Sequence, residues 1–148
     1  MLRISKMTDY AIMVMVELNT SRGEVLTAHA LAERCRLELP TVSKVLKMLV
    51  RMNLVESFRG ANGGYCLERE ASDISVAEII AAIEGPIAMT ECSVEEGLCA
   101  QEDSCGLRGN WQRISIAVAR AMEDVSLAEM AQPVKADLRP LKITTLSA

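Results

Sequence analysis

The sequence predicts a mainly α-helical fold that carries one small β-hairpin. Three observations lead there. Half the residues are apolar, drawn from Leu, Ile, Val, Ala and nine Met, while Phe58, Trp111, Tyr10 and Tyr65 are the only aromatics. That mixture suits helices better than a β-sandwich. Apolar residues recur at helical spacing in several stretches, and Gly60, Asn62, Gly63 and Gly64 separate two short β-prone runs. At 148 residues the chain has the size of one integrated domain with enough apolar side chains for a core.

Each element has its own signal. Ala11, Val14, Met15 and Leu18 form the stripe of a first helix, from about Met7 or Thr8 to Asn19, with Gly23 as a stop. Thr27 suits the N-cap of a second helix reaching Cys35, with Leu31, Ala32 and Cys35 on one face. Arg36 to Leu39 makes a turn, and Pro40 fits the first position of a third helix, where a missing N–H costs nothing. There Val42, Val45, Leu46 and Leu49 fall at i, i+3, i+4 and i+7. From Leu54 to Leu67 the pattern is a hairpin. Ser75 caps a helix over Val76 to Glu84 that Gly85-Pro86 stops. A long helix is predicted from Leu107 to about Val125, with Trp111, Ile114, Ser115, Val118, Ala121 and Met122 along one side. Ser126-Leu-Ala-Glu129 has capping-box spacing. Pro133 ends the series, and the tail beyond it is expected to be poorly ordered.

Helix, turn, helix and hairpin in that order describe a winged helix-turn-helix. The predicted organisation is therefore a winged helix-turn-helix over residues 1–85, a cysteine loop over 86–106, and a long C-terminal dimerisation helix with its tail over 107–148. Net charge is −4, yet residues 1–70 hold ten Lys/Arg against eight Asp/Glu, and the remainder holds six against twelve. The basic side is the one suited to a polyanion. The second helix of a helix-turn-helix presents its N-terminal residues to base edges. Pro40, Thr41, Ser43 and Lys44 are thus nearest bases, while Lys47 and Arg51 are placed to hold phosphate. In the wing, Arg59 stands beside Gly60, Asn62 and Gly63, where a tip can lie over a minor groove. Double-stranded DNA is the expected partner.

Cys92, Cys99 and Cys105 are separated by six and five residues in a stretch with Gly97 and no apolar period. Such a loop can bring three thiolates to one point, as a soft metal or an iron–sulfur cluster requires. A fourth ligand must come from elsewhere: a carboxylate, another Cys or a small exogenous group. His29 is the only histidine and lies far upstream. Cys35 and Cys66 read as small hydrophobes of a helix stripe and a strand. Asp9, in the first helical turn, has an ordinary role at a helix N-terminus. Glu91, Glu95, Glu96, Glu102 and Asp103 surround the loop thiols without any Lys or Arg. These acids disfavour adding an electron to a bound cluster, so a low-potential sensor is expected rather than an electron carrier.

No nucleophile–base pair or phosphate-binding glycine loop is present, and an enzyme is not expected. There is no signal-peptide pattern or apolar run of transmembrane length. A cytoplasmic protein with reduced thiols is expected, without membrane contact.

Several motifs carry a family resemblance over nearly the whole chain. Met1-Leu-Arg-Ile-Ser5, Thr8-Asp-Tyr-Ala11, Arg59-Gly-Ala-Asn-Gly-Gly-Tyr65, Ile74-Ser-Val-Ala-Glu-Ile-Ile80 and the spaced cysteines resemble the IscR/NsrR group of iron–sulfur transcription regulators. Leu39-Pro-Thr-Val-Ser-Lys-Val-Leu46, Glu84-Gly-Pro-Ile87, Thr90-Glu-Cys92 and Asn110-Trp-Gln-Arg-Ile114 look most like regulators of the SUF cluster-assembly operon. The resemblance implies a homodimer on a palindromic operator, with Cys92, Cys99 and Cys105 holding a 2Fe–2S or 4Fe–4S cluster. The IscR type is similar but has a histidine just after the third cysteine, where this chain reads Gly106-Leu107-Arg108. The NsrR type has an aspartate at the position resembling Asp9, supplied by the partner subunit, which makes Asp9 the fourth-ligand candidate. The expectation is a cluster-sensing repressor of cluster-assembly genes. The competing expectations are a nitric-oxide or redox-responsive repressor of other genes, a zinc-stabilised DNA-binding module, and an iron–sulfur carrier.

Overall fold

The computed structural model describes residues 3–95, 97–101 and 104–133. Its elements in chain order are α1 (Lys6–Thr20), α2 (Ala28–Cys35), α3 (Leu39–Arg51), β1 (Val55–Phe58), β2 (Gly64–Leu67), a 3₁₀ turn (Ala71–Asp73), α4 (Val76–Glu84), α5 (Glu91–Val94), α6 (Arg108–Glu123) and α7 (Leu127–Met130). The predicted mainly helical fold with one hairpin is the observed one.

Sequence and local structure agree closely through the first three helices. Ser5 caps α1 by accepting from the Thr8 N–H, and Thr27 caps α2 by accepting from the Ala30 N–H at 3.1 Å. Arg36 closes α2 in the left-handed region at φ 53. Helix α3 begins one residue earlier than expected, so Pro40 occupies its second position, still within the turn where no N–H is needed. Val42, Val45, Leu46 and Leu49 are all fully buried, and Ala11, Val14 and Met15 of α1 meet them from the opposite side.

The hairpin pairs Val55 with Leu67 and Phe58 with Gly64 in antiparallel register. It is also fastened to the body. Tyr65 N–H donates to the Leu26 carbonyl at 2.8 Å, and Leu26 N–H returns to the Tyr65 carbonyl at 3.0 Å. This short third rung ties β2 to the segment between α1 and α2.

Two capping boxes meet at the far side. Ser75 and Glu78 cap α4, and Ser126 and Glu129 cap α7. The cap segments pair with each other: Val76 N–H reaches the Val125 carbonyl at 2.9 Å, and Leu127 N–H the Ile74 carbonyl at 2.8 Å. Leu127 is thereby fully buried in the main core beside Ile74 and Ile79. The C-terminal elements consequently share the core of the helix-turn-helix. Residues 134–148, for which a poorly ordered tail was expected, lie outside the described residues.

Helix α6 differs from expectation in how its apolar residues divide. Ser115 is buried, and Val118 and Met122 are half-buried toward α4. Trp111, Ile114 and Ala121 are exposed instead of sharing that side. Two faces, not one, explain the apolar content of this helix: a narrow one against the body and a broad one without cover in the single chain.

Candidate functional site

On α3, the core stripe fixes which residues face outward. Pro40, Lys44, Lys47 and Arg51 are exposed, and Thr41 and Ser43 are half-buried at the N-terminal end. No side chain caps that end at Glu38, which leaves its positive dipole open to a phosphate. The ion pairs among the described residues are Arg22–Glu70, Arg34–Glu17 and Arg69–Glu78. None of them engages Lys44, Lys47, Arg51 or Arg59.

The wing tip holds Arg59, Gly60, Ala61 and Asn62, all exposed, and is closed by Gly63 N–H to the Gly60 carbonyl at 3.0 Å. Gly60 sits at φ +107, a conformation side-chain-bearing residues rarely adopt. A Cβ on Gly63 would lie 2.5 Å from the Phe58 carbonyl oxygen. Glycine is therefore favoured by sterics at Gly63 and by backbone conformation at Gly60. The predicted DNA-facing residues thus occupy two outward surfaces, one on α3 and one on a wing whose base is bonded to the body.

The cysteine segment runs from the end of α4 to the start of α6. It contains one turn of helix, α5, where a plain loop was expected. Cys92 lies on that turn, Cys99 in the following bend and Cys105 just before α6. All three are half-buried free thiols. The Cys92 Sγ is 3.3 Å from the Thr90 Oγ1. Among the described residues, no three His, Cys, Asp or Glu side chains converge to hold a metal ion. Glu96, Glu102 and Asp103, counted in the predicted acidic surround, lie outside the described residues, while Glu91 and Glu95 are exposed.

The remaining thiols behave as small hydrophobes. Cys35 is buried, with its S–H directed to the Met13 carbonyl at 3.8 Å; burial first, then Glu17, pushes its pKa up. Cys66 is half-buried on β2, and burial followed by Glu56 and Glu68 raises its pKa. Asp9 is exposed on the first turn of α1.

Two residues that tie this region together were not singled out by sequence. Ser115, inside the apolar stripe of α6, accepts from the Met89 N–H at 3.0 Å and donates to the Trp111 carbonyl at 3.0 Å. It pins the entrance of the cysteine segment to α6. Glu84, the last residue of α4, accepts from the Ser5 N–H at 3.0 Å and from the Thr8 hydroxyl. A lone serine in a helical apolar stripe and an acid before Gly-Pro were the available signals.

Comparison with known proteins places this architecture. A family model described as Rrf2, iron-dependent transcriptional regulator, matches residues 4–133. The HTH-type transcriptional regulator IscR of Photorhabdus laumondii is 31% identical over 131 residues, covering 87% of this chain and 79% of that protein. Among solved structures, CymR, the global cysteine regulator of B. subtilis, is similar with TM-score 0.69 and 31% identity over 88% of this chain and 97% of that one. IscR of T. potens is similar with TM-score 0.64 and 28% identity, covering 87% and 85%. These relatives are transcriptional regulators rather than enzymes, and no helix among the described residues is long and apolar enough to cross a membrane. A winged helix-turn-helix with a fastened wing, matched along nearly its whole length, makes this chain a member of the Rrf2 family of DNA-binding transcriptional regulators.

Proposed function

We propose that the chain is a cytoplasmic homodimeric repressor of SUF-type cluster-assembly genes, whose operator affinity depends on an iron–sulfur cluster. The observation that carries this reading is three free, half-buried thiols on the one segment joining the winged helix-turn-helix to α6. The donor set fits such a group: three thiols with no basic side chain between Glu91 and Asp103 to compete for them. Cys92, Cys99 and Cys105 would hold it, and Asp9 of the partner subunit would supply the fourth ligand. When bound, the cluster supplies a joint among three points of the segment that is lost when iron is short or oxidants attack.

The rest is done by the chain's own residues. The uncovered face of α6, with Ile114, Ala117 and Ala121, packs on its copy and sets the dimer axis. Each α3 then presents Pro40, Thr41, Ser43 and Lys44 to one half-site, with Lys47 and Arg51 on phosphate. Arg59, Gly60, Asn62 and Gly63 lie over the neighbouring minor groove. Half-sites sit about 34 Å apart, so a change in segment order alters how both helices reach DNA together. Coupling of about 1–3 kcal/mol is typical of such devices.

A second reading has its own support. Likeness to a cysteine regulator at 31% identity favours a regulator of sulfur or redox supply. Anaerobic purification, absorption spectra, iron and sulfide counts, and operator binding with and without the cluster decide between them. Brown or red protein with iron and sulfide supports the cluster; colourless protein with zinc supports a structural metal. Cys92→Ala is expected to lose both the colour and the cluster-dependent binding, and retained regulation in that variant refutes the proposal.

A further inference from the structure

We infer that Glu84 is a positioning residue that passes the state of the cysteine segment to helix α1, and through it to the recognition helix. The geometry is specific. Glu84 ends α4, and Gly85 at φ +89 with Pro86 starts the segment leading to Cys92. The Glu84 carboxylate does not stay with its own helix. It accepts from the Ser5 N–H and the Thr8 hydroxyl, both in the N-terminal turn of α1, more than seventy residues away in sequence.

The capping of α1 does not require it. Ser5 already accepts from the Thr8 N–H at 3.2 Å, and its Oγ also lies 3.2 Å from the Thr8 Oγ1. The buried Thr8 hydroxyl therefore has a local partner without Glu84. Electrostatics explains the long reach. A carboxylate at the C-terminal end of α4 faces the negative end of that helix, whereas at the start of α1 it meets a positive end. Hydrogen bonds from Thr8 first and Ser5 next hold its pKa below the ordinary glutamate value. An anchor that is redundant as a cap, and that sits where the segment leaves the body, is placed to transmit motion.

The onward path is packed. Behind Thr8, Ala11, Val14 and Met15 are fully buried against α3, whose Val42, Val45 and Leu46 are equally closed. Close-packed interiors move as units rather than absorbing a displacement. Asp9 lies on the same turn as Thr8, so whatever holds Asp9 or frees it acts on the same anchored turn. The sensing half of this inference rests on the cluster reading above; the anchor itself does not.

The test uses the full chain with Glu84→Ala and Glu84→Gln, each with its cluster and after chelation, alongside wild type. Operator binding is read by fluorescence anisotropy, and exchange of the α1 first-turn amides by mass spectrometry. In Glu84→Ala, first-turn exchange is expected to rise roughly fivefold, as for loss of about 1 kcal/mol of hydrogen bonding to that turn. The ratio of cluster-bound to cluster-free operator affinity is expected to fall to within about twofold of one, from the roughly 5- to 150-fold of a coupled switch. Cluster-free affinity stays near wild type, and the melting temperature falls by only a few degrees for the two lost bonds. Both bonds are accepted by the one Oε1 of Glu84, so Glu84→Gln, which keeps a single acceptor oxygen, restores most of the ratio. An unchanged ratio in Glu84→Ala overturns the inference, whether exchange is unchanged or both affinities fall together with stability. If the wild type carries no cluster, the cluster reading fails separately. The anchor is then judged by Cys92→Ala, which must alter first-turn exchange with Glu84 present and not in Glu84→Ala. Failure of that difference overturns it.

Discussion

Replacing Gly64 with Ala tests whether the wing is held by the body or merely folds beside it. Gly64 is buried where β2 passes the segment before α2. A Cβ built there lies 2.5 Å from the Leu26 carbonyl oxygen, 2.7 Å from its carbon and 2.8 Å from a Val25 methyl. Two of those neighbours are backbone, so the strand itself must move away. The movement breaks the reciprocal Tyr65–Leu26 pair, whose two hydrogen bonds are 2.8 and 3.0 Å. At about 0.5–1.5 kcal/mol each, the lost bonds cost about 1–3 kcal/mol. Residual crowding adds about 1 kcal/mol or more. A loss of about 2–4 kcal/mol leaves most domains folded, since typical stabilities are about 5–15 kcal/mol. The wing, however, loses its fixed angle to α3, and operator affinity is expected to fall about tenfold or more. Urea unfolding followed by circular dichroism reads the first effect, and fluorescence anisotropy on an operator duplex the second. Gly60→Ala is the control: nothing lies within 4 Å of its Cβ, and its cost is the strained φ of +107 alone, about 1–2 kcal/mol. Wild-type unfolding of Gly64→Ala, or a larger loss in Gly60→Ala, refutes the reasoning.

Three further outcomes follow from the same geometry. Arg59→Ala is expected to weaken operator binding by about 1–2 kcal/mol, roughly tenfold, whereas Glu70→Ala, whose partner is Arg22 on the surface, changes it little; equal gel-shift affinities remove Arg59 from the reading surface. Ile114→Asp places a charge on the uncovered face of α6 and removes about 1.5–3 kcal/mol of burial per copy, weakening the dimer roughly 100-fold or more; sedimentation showing an unchanged dimer locates the interface elsewhere. Acid is expected to lower the melting temperature, because hydrogen bonds from Thr8 and Ser5 depress Glu84, and those from Ser126 depress Glu129. Glu78 is raised by burial but ends lowered through Ser75 and Arg69. Stability from a depressed carboxylate is present above its unfolded pKa of about 4.5 and is lost as pH falls through the lower folded value. A melting temperature independent of pH below 4.5 counts against these caps.

What the sequence revealed follows from how local each signal is. The stripe Val42, Val45, Leu46 and Leu49 is a periodic pattern within one helix, and all four are buried as read. Thr27, Ser75 and Ser126 are caps whose partners lie three residues on, so they too were legible. The wing's glycines were visible, but not the Tyr65–Leu26 rung, because nothing in either segment encodes a partner about forty residues away. The reach of Glu84 to Thr8 was hidden for the same reason. Helix α6 was read as one stripe because Trp111 and Ile114 are apolar like Val118 and Met122; only the packing of α4 shows which set is covered. The turn at Cys92 has four residues, too few for any period to appear.

The placement of those long-range contacts bears on how a regulator of this shape can respond at all. Helix α6 is held differently at its two ends. Beyond its C-terminus, the paired caps at Ser75 and Ser126 and the buried Leu127 lock it to the core of the helix-turn-helix. Its N-terminal half is attached through the cysteine segment, by the Met89–Ser115 bond and by Cys105 three residues before it. A sixteen-residue helix spans about 24 Å. A tilt of about 5° around the locked end therefore moves the far end about 2 Å, and in the dimer proposed above, packed on this helix, the two copies would double the error between their recognition surfaces. Half-sites at a fixed spacing tolerate little of that. In the dimer proposed above, a segment of some twenty residues at that end would therefore govern DNA affinity without touching DNA, because the buried helices it acts on are packed too closely to absorb its movement.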